Sequence, residues 1–186
     1  MGWLYMESMG EHKTPKQYLD AQFTFENERR KLTVLDSASK LGAYYAAVES
    51  IAKATGEREV FGLVCLTNYR PRGFSDGTTF GYKDMDESMG PNQCECPVRL
   101  LDLLTPTTSD YANDWRKRCR ERAAKRVPKP GETFTLAKPM RFTDGQHLSK
   151  FRAIRSGNRT VYASLENGGY YRISRIRDRE LTVATS

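Results

Sequence analysis

The chain has 186 residues, 38% of them hydrophobic and 28% charged, and a formal net charge of +7 at pH 7. A chain of that length forms one or two domains with a real buried core, and its composition is that of an ordinary soluble globular protein. No stretch approaches the roughly 18 apolar residues of a membrane span, so no membrane partner is expected.

The start, Met1-Gly-Trp-Leu-Tyr-Met-Glu7, has no basic n-region, no long apolar core and no small-residue cleavage site. It does not read as a secretory signal. Gly2 fails the myristoylation pattern because position 6 is Met. The expected compartment is the cytoplasm. Trp3, Tyr5 and Met6 read as an edge strand rather than as a base-stacking platform. Thr14-Pro15 supplies an N-cap and a Pro at the first helical position, which predicts a short helix ending at Gln22.

Three segments rich in β-branched and aromatic residues follow: Leu32–Ser37, Ala43–Ala52 and Val60–Tyr69. Thr55-Gly56-Glu57 separates the last two and predicts a β-hairpin. After the turn Gly73–Gly77, a fourth strand is expected over Thr78–Lys83. Phe61–Leu66 is apolar throughout, so this strand should be covered on both faces. Val98–Leu104 reads as a short helix.

From Asp110 to Arg126 a longer helix is expected. Tyr111, Trp115, Cys119 and Ala123 recur every four residues as an apolar stripe. Asp110 at its start and basic residues at its end suit the helix dipole. Val127-Pro-Lys-Pro-Gly131 breaks the chain. Five strands are predicted beyond it, over Thr133–Leu136, Lys150–Ile154, Thr160–Leu165, Tyr170–Ser174 and Leu181–Ala184. Turn signals at Asp144-Gly145, Gly157-Asn158 and Asn167-Gly168-Gly169 separate several of them. Such short strands fit an SH3-like small β-barrel.

The expected fold class is therefore α+β. A small antiparallel sheet with short helices occupies residues 1–105, a basic amphipathic helix 106–127, and a small β-barrel 131–186.

Charge is unevenly distributed. Residues 1–113 carry 12 Lys and Arg against 16 Asp and Glu; residues 114–186 carry 18 against 7. An acidic half joined to a basic half points to an anionic partner for the basic half, either nucleic acid or an acidic protein surface. The candidate contacts are Arg116, Lys117, Arg120, Lys125 and Arg126 on the helix, with Arg172, Arg175 and Arg177 in the tail. If the tail is extended there, Arg175, Arg177 and Arg179 share one face. Such cations neutralise phosphates without reading sequence, and Tyr162, Tyr170 and Tyr171 could stack bases. The competing reading is a solvated basic face that keeps the protein in solution.

The densest chemistry lies in Phe80-Gly-Tyr-Lys-Asp-Met-Asp-Glu-Ser-Met-Gly-Pro91, followed by Cys94-Glu-Cys96-Pro97. With Gly2-Trp3-Leu4, Leu101-Asp102 and Tyr111…Trp115-Arg116, this run resembles an uncharacterised family of short bacterial proteins. Members are met on plasmids, integrated mobile genetic elements and phages. The resemblance covers residues 1–126, with a more variable tail. It implies a setting, the cargo of mobile DNA, and no mechanism.

Asp84, Asp86 and Glu87 are candidate ligands for a divalent cation, and with Lys83 beside them metal-assisted phosphodiester hydrolysis is conceivable. The favoured alternative has these residues capping the next turn and pairing with the Arg-rich helix. Cys96-Pro97 could place a thiolate at a helix start, with His12 the one histidine of the N-terminal domain to serve as base. The one-residue gap between Cys94 and Cys96 does not suit a zinc site. No cofactor is expected beyond that candidate cation.

The leading functional expectation is a non-catalytic, nucleic-acid-associated accessory protein of a mobile element. The alternatives are a protein-binding inhibitor of a nuclease or defence complex, and a metal-dependent hydrolase using Asp84, Asp86 and Glu87. Oligomeric state is left open by the sequence.

Overall fold

The computed structural model describes residues 4–6, 9–69 and 80–184. The chain divides into two compact units, residues 1–123 and 124–186. Trp3 and the turn expected at Gly73–Gly77 lie outside the described residues.

In the first unit, the elements in chain order are β1 (Leu4–Met6), α1 (Pro15–Gln22), β2 (Phe25–Glu26), β3 (Arg30–Lys40), β4 (Ala43–Ala52), β5 (Arg58–Tyr69), β6 (Phe80–Asp86), α2 (Val98–Leu101) and α3 (Asp110–Ala124). The strands form one sheet in the order β1-β6-β5-β4-β3-β2, with every pair antiparallel.

Local chemistry explains several boundaries. Thr14 Oγ1 accepts the Gln17 N–H at 3.2 Å and Pro15 occupies the first turn, as expected for the start of α1. The β3–β4 hairpin turns on Leu41 and Gly42, both at positive φ (50° and 77°), a geometry that matches the sheet's twist. Glycine suits position 42 because its φ of 77° is left-handed, and a Cβ there would also force the Asn68 side chain, 1.6 Å away, to move.

The sheet buries both faces. Tyr44, Ala46 and Val48 of β4 pack with Leu63, Cys65, Phe80 and Tyr82 beneath Leu19 of α1. The alternate residues Ala43, Tyr45 and Ala47 pack with Val64 beneath Leu100 and Leu101 of α2 and Trp115 and Cys119 of α3. The double-sided burial expected for Phe61–Leu66 follows from its place in the middle of this sheet.

Two expectations need correction. The fourth strand, expected to end at Lys83, runs on to Asp86 as β6 (Phe80–Asp86), because the β5 ladder pairs it as far as Leu63 opposite Asp86. The apolar stripe of α3 is Ala112, Trp115 and Cys119. Tyr111 is 70% exposed and Ala123 is also exposed. A four-residue repeat drifts by about 40° per step on a 3.6-residue helix, so only the middle of the expected stripe meets the core.

Trp115 sets a tight constraint on β5. A Cβ on Gly62 would lie 2.9 Å from the Trp115 ring. Gly62→Val is expected to destabilise the first unit by about 1–3 kcal/mol through overpacking. Urea titration followed by tryptophan fluorescence reads this directly.

In the second unit, β7 (Thr133–Arg141), β8 (His147–Ser156), β9 (Arg159–Ser164), β10 (Tyr170–Tyr171) and β11 (Leu181–Val183) form an antiparallel sheet in the order β10-β9-β8-β7-β11. Phe134, Leu136, Leu148, Phe151, Ala153, Tyr162 and Ile173 make its core. The ring of Phe134 stacks on Phe151 at 5.6 Å and meets Tyr162 edge-on at 5.4 Å. The five expected strands are present, as an open sheet with β10 and β11 at its edges. Arg175 and Arg177 do not share a strand face with Arg179. Arg175 is left-handed (φ 53°) and leads a 3₁₀ turn, Ile176–Asp178, which winds successive side chains about 120° apart.

Candidate nucleic-acid interface

The three carboxylates of the Phe80–Pro91 run do not converge. Alternation along β6 puts Asp84 on the face of Phe80 and Tyr82, whereas Asp86, at the end of the strand, lines a cavity of about 270 Å³ with Glu87, Thr105 and Arg116. Asp86 caps a 3₁₀ turn, Glu87–Met89, by accepting the Ser88 N–H at 2.9 Å. Glu87 is turned inward and buried beside α3. Its Oε2 accepts from Arg116 Nε at 2.7 Å and its Oε1 from Arg116 Nη2 at 2.6 Å. Oε1 also accepts the Gly62 N–H at 3.1 Å, a donor that β6 no longer reaches once it has ended. Arg116 Nη1 donates to the Thr105 carbonyl at 2.8 Å. Among the described residues no group of three or more His, Cys, Asp or Glu side chains could hold a metal ion.

The segment after this turn is fastened to α3 in the same way. Trp115 Nε1 donates to the Gln93 carbonyl at 2.8 Å, and Arg118 donates to the Pro91 carbonyl and to Cys94 Sγ, each at 3.3 Å. Glu95 is buried between Lys40, at 2.7 Å, and Arg122. Burial pushes the Glu95 carboxyl up, but the hydrogen bonds and charges of Lys40 and Arg122 outweigh it and hold the group below the usual carboxylate range.

A depressed folded-state pKa stabilises fully above the unfolded value, about 4.3, and that stabilisation is lost as pH falls through the folded value. Glu95→Gln is therefore expected to flatten the acid limb of stability. Urea midpoints measured between about pH 3 and 7 check this.

The cysteine–histidine pairing is not assembled. Cys96 packs on the α2–α3 face of the sheet, whereas His12 lies against Tyr18 on the α1 face, with ring centroids 6.0 Å apart. The Cys96 thiol is pushed up to about 12, first by burial and then by the Glu87 charge. A four-residue helix offers little dipole against this.

The basic candidates fall into two sets. On α3 the arginines face carboxylates of their own unit: Arg116 with Glu87, Arg118 with Asp114 at 2.8 Å, Arg120 with Asp102 at 2.8 Å, and Arg122 with Glu95. Lys117 is exposed and lies 3.9 Å from Glu121. The first unit holds 17 Lys and Arg against 18 Asp and Glu, and the second 13 against 5.

In the second unit, Lys125, Arg126, Arg177 and Arg179 line one cleft of about 400 Å³, with Asp178 and Glu180 as its carboxylates. Arg126 pairs with Glu132 at 2.7 Å, and Lys125 and Arg179 make no ion pair among the described residues. Arg159 and Arg172 line a second, shallow cleft with Tyr162 and no carboxylate. Tyr170, on the edge strand β10, is 72% exposed. Arg159 was not among the sequence candidates. Its sequence signal is its position just after the Gly157-Asn158 turn; Arg172 follows β10, the strand paired with β9.

A family model described as a domain of unknown function (DUF6927) matches residues 106–176. The match includes Tyr111, Trp115 and Arg116 and continues through the tail past β10 to Ile176, leaving Phe80–Pro91 outside it. No curated protein and no solved structure matches the chain. No helix among the described residues is long and apolar enough to cross a membrane.

Proposed function

We propose that residues 124–186 bind the phosphate backbone of nucleic acid, and that the chain is a non-catalytic accessory protein of a mobile genetic element. The observation that carries the reading is the cleft of Lys125, Arg126, Arg177 and Arg179. Its cations belong to a unit with a charge surplus of eight, whereas the arginines of α3 are matched by carboxylates of their own unit. The second cleft, with Arg159 and Arg172, adds phosphate-binding capacity, and exposed Tyr170 offers a ring on which an unpaired base can stack. Phosphate neutralisation of this kind is independent of base sequence.

Fluorescence anisotropy with labelled single-stranded DNA, duplex DNA and RNA across a salt series tests the proposal. The expected result is a log K that falls linearly with log salt, at a slope equivalent to about four phosphate contacts, or roughly −3 to −4. Absence of binding at low salt overturns it and directs the search to an acidic protein surface.

A further inference from the structure

The outward face of the second unit's sheet carries a cross-strand row that belongs to neither cleft. Tyr170 of β10 lies opposite Ala163 of β9, Ala163 opposite Arg152 of β8, and Arg152 opposite Thr133 of β7. The neighbouring row, Tyr171, Tyr162 and Ala153, packs in the core. Strand alternation therefore sends Tyr170, Ala163 and Arg152 to the other side of the sheet. Tyr171 fixes that orientation. Its hydroxyl donates to Asp144 Oδ2 at 2.9 Å and accepts from Asn167 Nδ2 at 2.8 Å, and its ring centroid lies 4.3 Å from that of Phe142. Two residues from Arg152 along β8, Lys150 and Ile154 share its face, with Thr135 and Val161 as their cross-strand partners.

The chemistry of this face suits a polyanion with free aromatic bases. Tyr170 is 72% exposed, and its ring meets no other ring among the described residues. Arg152 is exposed and makes no ion pair among the described residues. None of the five strands contains an aspartate or a glutamate. Glu166, just past β9, is held by the Ser149 hydroxyl and by the backbone N–H groups of Ser149 and Lys150. Strands in a sheet lie about 4.8 Å apart, so the Tyr170 and Arg152 backbones, two strands apart, are separated by about 10 Å. Only the Ala163 methyl stands between them. The result is a ring and a cation flanking a shallow floor.

We propose that this face binds single-stranded DNA, with an unpaired base stacked on Tyr170, its deoxyribose over Ala163, and phosphates on Arg152 and Lys150. The inference names the partner of the phosphate-binding reading above and rests on it. A duplex keeps its bases paired and stacked inside, so it offers Tyr170 no ring face. Stacking tolerates every base, because each has a π-face. Ala163, Val161 and Ile154 give a sugar no hydrogen-bonding side chain. A ribose 2′-hydroxyl laid on them would lose its water without a replacement partner, which favours DNA over RNA.

Fluorescence anisotropy of the full-length chain with an oligothymidylate, the matching oligouridylate and a duplex of equal length tests this. The parent is expected to bind the oligothymidylate more tightly than either of the others. Tyr170→Ala should weaken oligothymidylate binding by about 5- to 150-fold, the range for losing one base–aromatic stack, and change duplex binding by less than about twofold. Tyr170→Phe should keep the parent affinity, whereas Tyr170→Leu, apolar but without a π-face, should behave like the alanine variant. Arg152→Ala should make the single-strand salt slope shallower by about 0.7, one phosphate contact. Both sites are exposed, so circular dichroism melts of the variants should coincide with the parent's. Salt-dependent binding that Tyr170→Ala leaves unchanged overturns this inference while the phosphate-backbone reading stands. A duplex or an oligouridylate bound as tightly as the oligothymidylate does the same. Absence of binding to all three probes overturns both.

Discussion

Replacing Arg116 with alanine is expected to cost about 3–5 kcal/mol of stability, because it leaves a buried carboxylate with no counter-charge. The Arg116 and Glu87 side chains are only 15% and 5% exposed, and the guanidinium makes two parallel hydrogen bonds to the carboxylate. Against a whole-domain stability of about 5–15 kcal/mol this is a severe loss. Arg116→Lys should recover only part of it, since an ammonium cannot reproduce the fork that reaches Glu87 and the Thr105 carbonyl together. Urea unfolding followed by tryptophan fluorescence measures both variants. Under conditions where Arg116→Lys remains folded, its affinity for nucleic acid should equal that of the parent. A folded Arg116→Lys protein that binds DNA many-fold more weakly would instead put α3 in the interface.

The opposite pattern is expected in the tail. Lys125→Ala with Arg179→Ala removes two cations that have no ion pair among the described residues. Stability should change by no more than about 0.5 kcal/mol per site, as for ordinary surface changes. The salt slope of nucleic-acid binding should become shallower by about 1.8, or 0.9 per lost phosphate contact. Charge reversal, Lys125→Glu with Arg179→Glu, should abolish detectable binding at physiological salt while the circular dichroism melt stays in place. Unchanged binding in both variants would remove this cleft from the interface.

These two expectations reverse part of what charge counting suggests. The sequence shows a helix in a basic half, on which Arg116, Lys117, Arg120, Lys125 and Arg126 read as phosphate contacts. The structure pairs Arg116 and Arg120, and with them Arg118 and Arg122, to carboxylates at Glu87, Asp102, Asp114 and Glu95. Only the Arg118–Asp114 pair has the i,i+4 spacing that a sequence makes visible. The other three partners lie 18 to 29 residues away, and nothing in the local pattern selects them. The expectation that Glu87 serves the Arg-rich helix was a pairing of two neighbouring motifs; the Gly62 N–H that shares the carboxylate had no sequence signal at all.

Much of the first unit was legible because its signals are local. Thr14-Pro15 marks the start of α1, β4 runs over Ala43–Ala52 as its composition indicates, and α3 begins at Asp110. The turn at Leu41-Gly42 carries little sequence signal, because leucine is a rare occupant of a left-handed position. The extent of β6 was hidden because Asp84 and Asp86 carry turn propensity, which ladder pairing with β5 overrides.

The sequence alone determined the number and sign of the charges, the unequal halves, the capping signals and the periods that make helices and strands. Those properties depend on residues within a few positions of one another. Only the tertiary structure decided which charges are matched internally and which face outward. Coulomb energy depends on distance and burial, and folding brings Glu87 to Arg116 and Arg177 to Lys125 across 29 and 52 positions of chain.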